Sequence, residues 1–408
     1  MMNLTLKLKG TSQMQTDFPG GKMVMARGYV NKRKLARYYR VATSVFFFIA
    51  GLTFSTWASR IPDIQLKLRL SEAGLGAVLF ALPAGLMVSL PLSGWLVAKF
   101  GSKKLMLSGA LLYPLTLVLL SIAPSVLVLV GGLFLFGMFG NLINIAMNTQ
   151  AVGVENLYGR SIMASFHGLW SIAGFSGAAL GTLFVSGGFS PVIHFSAICL
   201  LSFVLVAIAY SFAMPHDSNA GGKTKMFVKP DRELWIVGII AFCCLLCEGA
   251  MADWSGVYFK KVVEAPAAYA TLGYLAFTST MALGRFTGDW LVTKTGVITM
   301  LRISGVMIAS GLILAIIFPA LVTATIGFLL VGYGVSSVIP IVYGVAGRSK
   351  TMPPSTALAT VSTIGFLGFL IGPPLIGFVA EATSLPWSFA LVALLGSGTA
   401  LLSGKIKK

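Results

Sequence analysis

Apolar residues fall along this chain in twelve long stretches separated by short polar breaks. The stretches run 38–60, 71–98, 103–123, 125–152, 161–186, 191–213, 233–259, 266–292, 297–318, 321–346, 354–381 and 385–403. A helix crosses the hydrocarbon core of a bilayer with about 20 apolar residues. In lipid every backbone polar group must be satisfied within the segment, so each stretch is expected to be helical. The pattern predicts an all-α membrane protein with twelve transmembrane helices.

The longest break, 214–232 (MPHDSNAGGKTKMFVKPDR), is polar, basic and contains glycine. It divides the twelve spans into six and six. The expected organisation is a basic tail over 1–37, a first six-helix bundle over 38–213, a linker over 214–232 and a second bundle over 233–408. The halves resemble each other. Residues 94–101 read GWLVAKFG and residues 289–296 read DWLVTKTG. Trp95, Leu96, Val97, Lys99 and Gly101 match Trp290, Leu291, Val292, Lys294 and Gly296. Upstream, Leu75, Gly76 and Phe80 match Leu272, Gly273 and Phe277. Spans two and eight therefore hold equivalent places in two parallel halves, one of the repeat arrangements found among membrane carriers.

Composition agrees with the pattern. Hydrophobic residues make up 56% of the 408, and charged residues only 10%, where a soluble domain carries about 25%. The mean hydropathy is +0.88. A soluble globular enzyme, a disordered chain and a disulfide scaffold are excluded. The net charge of +18 would suggest nucleic acid in a soluble protein, but here the positions of the charges decide. With the N-terminus placed in the cytoplasm, 24 Lys and Arg fall on that side and five on the other. The remaining one, Arg285, lies inside span eight. This asymmetry follows the positive-inside rule and predicts an inner-membrane protein with both termini cytoplasmic and no nucleic-acid partner. Six tryptophans, Trp57, Trp95, Trp235, Trp254, Trp290 and Trp387, fall near span ends, as expected of interfacial anchors. Cys243, Cys244 and Cys247 lie in apolar sequence and are expected to be buried small side chains, as is Cys199. No metal site is expected.

Ionisable residues within spans are costly, by about 2.5–3.5 kcal/mol on insertion scales, so each is a candidate for function. Glu248 lies midway through span seven. Asp253 lies about 7.5 Å further along and about 140° around the helix, so the two need not share a face. Either can bind a substrate or carry a coupling proton; a carboxyl hydrogen-bonded between helices is the alternative. Asn141, Asn144 and Asn148 share one face of span four. Amides both donate and accept, which suits sugar hydroxyls, although they also tie helices together. Tyr343 is the partner of Asn148 in the second half. On span five His167, Trp170, Ser171 and Gly174 form a stripe. His167 can hydrogen-bond or exchange a proton, and Trp170 can stack on a sugar ring. On span one Phe47, Thr53 and Phe54 are expected to pack. His194 on span six is expected to be structural.

The twelve spans, the central linker and the loop after span two resemble the major facilitator superfamily. The loop reads Gly94-Trp-Leu-Val-Ala98-Lys99-Phe-Gly101-Ser-Lys103-Lys104, with Ala98 where the family usually has aspartate. Finer similarity is to the bacterial branch that holds the fucose permeases and YbjJ-type inner-membrane proteins. It rests on Ser59-Arg60-Ile-Pro62-Asp63, Met147-Asn148 followed by Glu155, His167-Gly-Leu-Trp170-Ser171, and Glu248-Gly-Ala-Met-Ala-Asp253-Trp254. The resemblance implies two pseudo-symmetric six-helix bundles rocking around a midplane site. It implies a secondary active transporter of a small polar solute, sugar or sugar-like, that is proton-coupled and acts as a monomer without a cofactor. It also implies a conformational latch at the cytoplasmic side, for which the candidates are Gly94, Lys99, Gly101, Lys103, Lys104, Glu155, Arg160, Arg285 and Asp289. Among the alternatives is an efflux antiporter of the same fold. A non-transporting membrane sensor is another. A membrane enzyme is not expected, because the three histidines are scattered and no nucleophile or metal motif is present. Gly222-Lys223-Thr224 lacks the upstream glycine and strand of a phosphate loop, so the energy source is expected to be a gradient.

Overall fold

The computed structural model describes residues 21–159, 162–215, 230–349, 351–352 and 354–406. The first 20 residues of the basic tail, linker residues 216–229 and the latch candidate Arg160 lie outside the described residues, as does the side chain of Asp289. In chain order the helices of the first half are α1 (Gly21–Ala58), α2 (Ile61–Lys67), α3 (Glu72–Leu79), α4 (Ala81–Phe100), α5 (Ser102–Ile122), α6 (Val126–Tyr158), α7 (Met163–Ser186) and α8 (Pro191–Ala209). Those of the second half are α9 (Arg232–Lys261), α10 (Leu272–Thr295), α11 (Val297–Ile317), α12 (Leu321–Ser336), α13 (Val338–Ala346), α14 (Pro354–Ala382) and α15 (Leu385–Ser403).

Two expected spans are each built from two consecutive helices, and proline explains both breaks. Pro83 has no N–H for the Leu79 carbonyl, where α3 gives way to α4. Pro340 likewise has none for Ser336, where α12 gives way to α13. The helices start on side-chain caps where the sequence supplies them. Asp231 accepts from the Leu234 amide at 2.8 Å at the start of α9, and Ser190 followed by Pro191 opens α8. The turn after each copy of the repeated motif needs glycine, since Gly101 and Gly296 have φ of +85° and +82°.

Eleven spans among the described residues are long and apolar enough to cross a membrane. The remaining long helix, α10, has 24 residues, enough in length for the twelfth span, and carries Arg285 and Lys294. Large apolar side chains such as Leu127, Leu200 and Leu401 form the exposed outer surface, which suits lipid.

Packing repeats between the halves. Helix α1 packs on α7 as α9 packs on α14; α4 on α6 as α10 on α12; α5 on α8 as α11 on α15. Small residues let these backbones meet: a Cβ on Gly109 would sit 2.8 Å from the Ile143 amide. Trp57 and Trp254 occupy equivalent places in α1 and α9. They are 1% and 0% exposed, so they are core residues rather than interfacial anchors. Trp95, Trp235, Trp290 and Trp387 are exposed.

Alternating helix directions place residues 34, 101, 159, 296 and 403 at one end, here the terminal end, and α2 at the far end. The halves touch closely at the far end. Lys261 on α9 pairs with Glu72 at 2.5 Å, and the Ala73 amide donates to Glu381 at 3.2 Å. Thr271 and Thr182 hydroxyls bond at 2.8 Å. Helices α3 and α14 cross at Gly76 and Gly377, where a Cβ on Gly76 would lie 2.6 Å from the Pro373 carbonyl oxygen. Helix α2, in the break between the first two expected spans, lays Pro62 against Gly256 of α9. Its root is buried: Arg60, 3% exposed, bonds Asp63 at 2.7 Å, His194 at 3.2 Å and the Phe189 carbonyl at 2.8 Å. His194 is thus structural and also stacks on Phe184.

Candidate functional site

The two halves enclose a central cavity of about 320 Å³. Helices α1, α4, α6 and α7 line it from the first half, and α9, α10, α13 and α14 from the second. Its far end is closed by the contacts above. Toward the terminal end His167, near the start of α7, is exposed, and Asn144 and Tyr343 are half-buried. The cavity therefore reaches solvent from the terminal side.

Most of the wall is apolar and aromatic, including Phe54, Trp170, Phe277, Phe366 and Phe369. Among the polar groups in it are Asn141, Asn144, His167, Glu248, Asp253, Tyr274, Arg285 and Tyr343. This is the pattern of a small-molecule site, an apolar enclosure with a few placed polar groups. Glu248 and Asp253 both face it despite their angular separation, because the cavity is tall enough to meet α9 over two turns. Phe54, expected to pack, also lines it and lies 6.4 Å from Trp170, centroid to centroid. Phe47 and Thr53 are buried in packing.

The amide stripe on α6 divides. Asn141 lines the cavity while donating to Ser93 at 3.3 Å, which ties α6 to α4. Asn144 faces the cavity. Asn148 does not; its Nδ2 donates to the Asn144 side-chain oxygen at 2.8 Å, so it supports Asn144 from one turn away. Gln150 is structural: it bonds Ser102 at 2.7 Å and holds both backbone groups of Met214 at 3.0 Å, fixing the start of the linker.

Arg285 is not at the latch. Its guanidinium enters the cavity and lies 3.8 Å from Glu248, donates to Ser171 at 2.9 Å and sits 5.6 Å over the Trp170 ring. The reason is helical phase. Tyr274, Thr278, Met281 and Arg285 form one stripe on α10, all lining the cavity. Tyr274 and Thr278 were not singled out from sequence, although that stripe of polar residues in a span was their signal. Arg285 thus joins both halves, since Glu248 belongs to the second and Ser171 with Trp170 to the first. Its Nε is buried without a partner.

The other latch candidates make different contacts. Lys99 lies 4.7 Å over the Trp95 ring, and Lys294 lies 4.0 Å over Trp290, its repeat equivalent. Lys103 donates to the Ala213 carbonyl at 3.1 Å, Lys104 is exposed, and Gly94 faces open space. Glu155 accepts from the Ile162 and Met163 amides at 2.7 and 2.9 Å, capping α7. Arg60–Asp63, Lys261–Glu72 and Arg285–Glu248 are ion pairs at the far end and in the cavity. The four cysteines are buried and free.

Helical spans in two matching halves around one central cavity define a membrane transporter. The chain belongs to the Major Facilitator Superfamily, whose family model matches residues 43–355. It is 36% identical over 363 residues to an uncharacterised MFS-type transporter of Yersinia pestis, covering 87% of this chain and 92% of that protein. In fold it is similar to a point variant of the nucleoside transporter NupG, with a TM-score of 0.75 at 15% identity, over 91% of this chain and 100% of the other. It is likewise similar to a point variant of the fucose:proton symporter FucP of E. coli, with a TM-score of 0.60 at 17% identity, over 90% and 98%. These are transporters, not enzymes.

Proposed function

We propose that this protein carries a small polar, sugar-like solute across the bacterial inner membrane together with protons, working by alternating access. The observation that carries the reading is the Glu248–Arg285 pair in the cavity, 3.8 Å apart and joined to the first half through Ser171. Protonation of Glu248 removes the charge that Arg285 faces. The guanidinium, with its Nε still free, then turns to solute and to the first half. Occupancy of the site by proton and solute is thereby linked to how the halves are held together.

Asn141, Asn144, Tyr274 and Tyr343 supply donors and acceptors for hydroxyl groups, and Trp170 supplies a ring for stacking. NupG and FucP are described as carriers of a nucleoside and of fucose, both rich in hydroxyls, which supports a solute of that kind. The positive-inside distribution makes the terminal end cytoplasmic, with Gly94, Lys99, Gly101, Lys103 and Lys104 at that mouth. The described conformation is then open to the cytoplasm, with the far-end contacts as the closed outer gate. The chain works as a monomer, since it holds both halves of the site.

Proteoliposomes with an imposed pH gradient test the reading. The wild-type protein accumulates its solute against a concentration gradient. Glu248→Gln loses accumulation but keeps solute counterflow. Undiminished proton-driven accumulation by Glu248→Gln would remove that residue from coupling.

A further inference from the structure

The cavity has two unlike sides. The halves pack along two seams, α3 and α4 on α14, and α7 on α10. Every residue that α4 and α14 give to the wall is apolar: Leu82, Pro83 and Leu86 from one half, Phe366, Phe369 and Pro373 from the other. The other seam carries His167 on α7 and Tyr274, Thr278 and Arg285 on α10. Helix α9 follows the same division. Its Glu248 pairs with Arg285, while the next residue, Gly249, faces α14: a Cβ there would lie 2.9 Å from the Phe369 ring.

Charge and polarity set two conditions on what fills this chamber. In the loaded step of the transport reading Glu248 carries the proton. With His167 neutral, Asp253 and Arg285 remain as one charge of each sign, so a neutral solute leaves the closed chamber balanced. The second condition comes from the apolar seam. Leu82, Leu86, Phe366 and Phe369 are half-buried, each still offering surface to the chamber. A solute with hydroxyls all round would press some of them against this seam when the chamber closes. No side-chain donor or acceptor of α4 or α14 lines the wall there. A hydroxyl taken out of water without a partner costs free energy. From Phe366 to Pro373 the apolar strip runs about 10 Å along α14 at helical rise, longer than one sugar ring. The bare face of a single ring covers part of it, and an apolar substituent covers the rest.

We infer that the transported solute is a neutral glycoside: a hydroxylated ring on the α7–α10 side, joined to an aryl or alkyl group seated between α4 and α14. Leu86, Phe366 and Phe369 are the residues that select the apolar group. The inference rests on the transport reading above and narrows its solute from a free sugar to a substituted one.

Matched sugars test it, titrated calorimetrically into the purified full-length protein in nanodiscs, with empty nanodiscs as the blank. Glucose and galactose are each compared with their phenyl β-glycoside. Cellobiose and lactose put a second hydroxylated ring where the phenyl group would be, and phenyl β-glucuronide adds a negative charge to the phenyl glucoside. At least one phenyl glycoside should bind about tenfold or more tightly than both its free sugar and its disaccharide, as burial of one ring allows. The glucuronide should bind more weakly than the neutral phenyl glucoside. Phe369→Ser and Leu86→Asn should each cut the phenyl preference severalfold, and Phe369→Leu, which keeps the wall apolar, should retain it. No binding by either phenyl glycoside, binding no tighter than that of the free sugar, a tighter glucuronide, or a preference untouched by both Phe369→Ser and Leu86→Asn would overturn the inference. Proton-driven flux of a free sugar in proteoliposomes, without preference for its phenyl glycoside, would overturn it while leaving the transport reading intact.

Discussion

Arg285 is bound by more partners than any other charged side chain of the cavity. It meets Glu248 and Ser171 and lies over the Trp170 ring. Removing one member of such a pair leaves the other charge without compensation in a site where both side chains are at most 19% exposed. Glu248→Gln and Arg285→Gln should each destabilise the protein, and the double variant should be less destabilised than the sum. A double-mutant cycle by thermal or chemical unfolding in detergent should give a coupling of about 1–3 kcal/mol. Strict additivity would show that the two groups do not interact. A second residue-level expectation concerns Gly101 and Gly296. Their positive φ is closed to other residues, so Gly101→Ala should cost about 1–3 kcal/mol, where Gly94→Ala, facing open space, should cost far less. Sequence made Glu248 legible because a carboxyl deep in an apolar span is rare. It did not make Arg285 legible: the spacing to Asp289 suggested a terminal-end pair, and only the phase of α10 shows that the arginine turns into the cavity.

At the scale of elements, most span ends were readable to within a few residues, because length and apolar content define them; α1, however, begins at Gly21 inside the expected basic tail, α6 runs on to Tyr158, and α10 starts only at Leu272. The short helix α2 was not readable. It has too few residues for a periodic signal, and its place depends on the buried contacts of Arg60 and on the fit of Pro62 to Gly256. Trp57 and Trp254 misled for a similar reason: their position near span ends is interfacial by sequence, yet both are packed inside. The far-end contacts of α7 with the turn before α10 allow a direct test of their role as a gate. Thr182 and Thr271 hydroxyls are 2.8 Å apart, so Thr182→Cys with Thr271→Cys should form a disulfide under mild oxidation. Flux in proteoliposomes should stop on oxidation and return on reduction. Full flux with the cross-link in place would mean that this contact does not open during transport.

The duplication governs the whole molecule. It was legible in the two copies of the Trp-Leu-Val motif, and the structure repeats it in helix pairs, in the Trp95–Lys99 and Trp290–Lys294 contacts, and in the two glycine turns. The cavity itself was not legible as a volume, because which polar residues converge depends on helix rotation. Two matched halves meeting tightly at one end and open at the other leave rigid-body rocking as the simplest route between states. Paired spin labels measure that motion directly: one pair at Leu66 and Glu264 across the far end, the other at Lys104 and Thr295 across the terminal end. On acidification in the presence of solute, a population should appear in which the far-end distance lengthens and the terminal-end distance shortens. Two distances that stay fixed, or that lengthen and shorten together, would contradict alternating access in this protein.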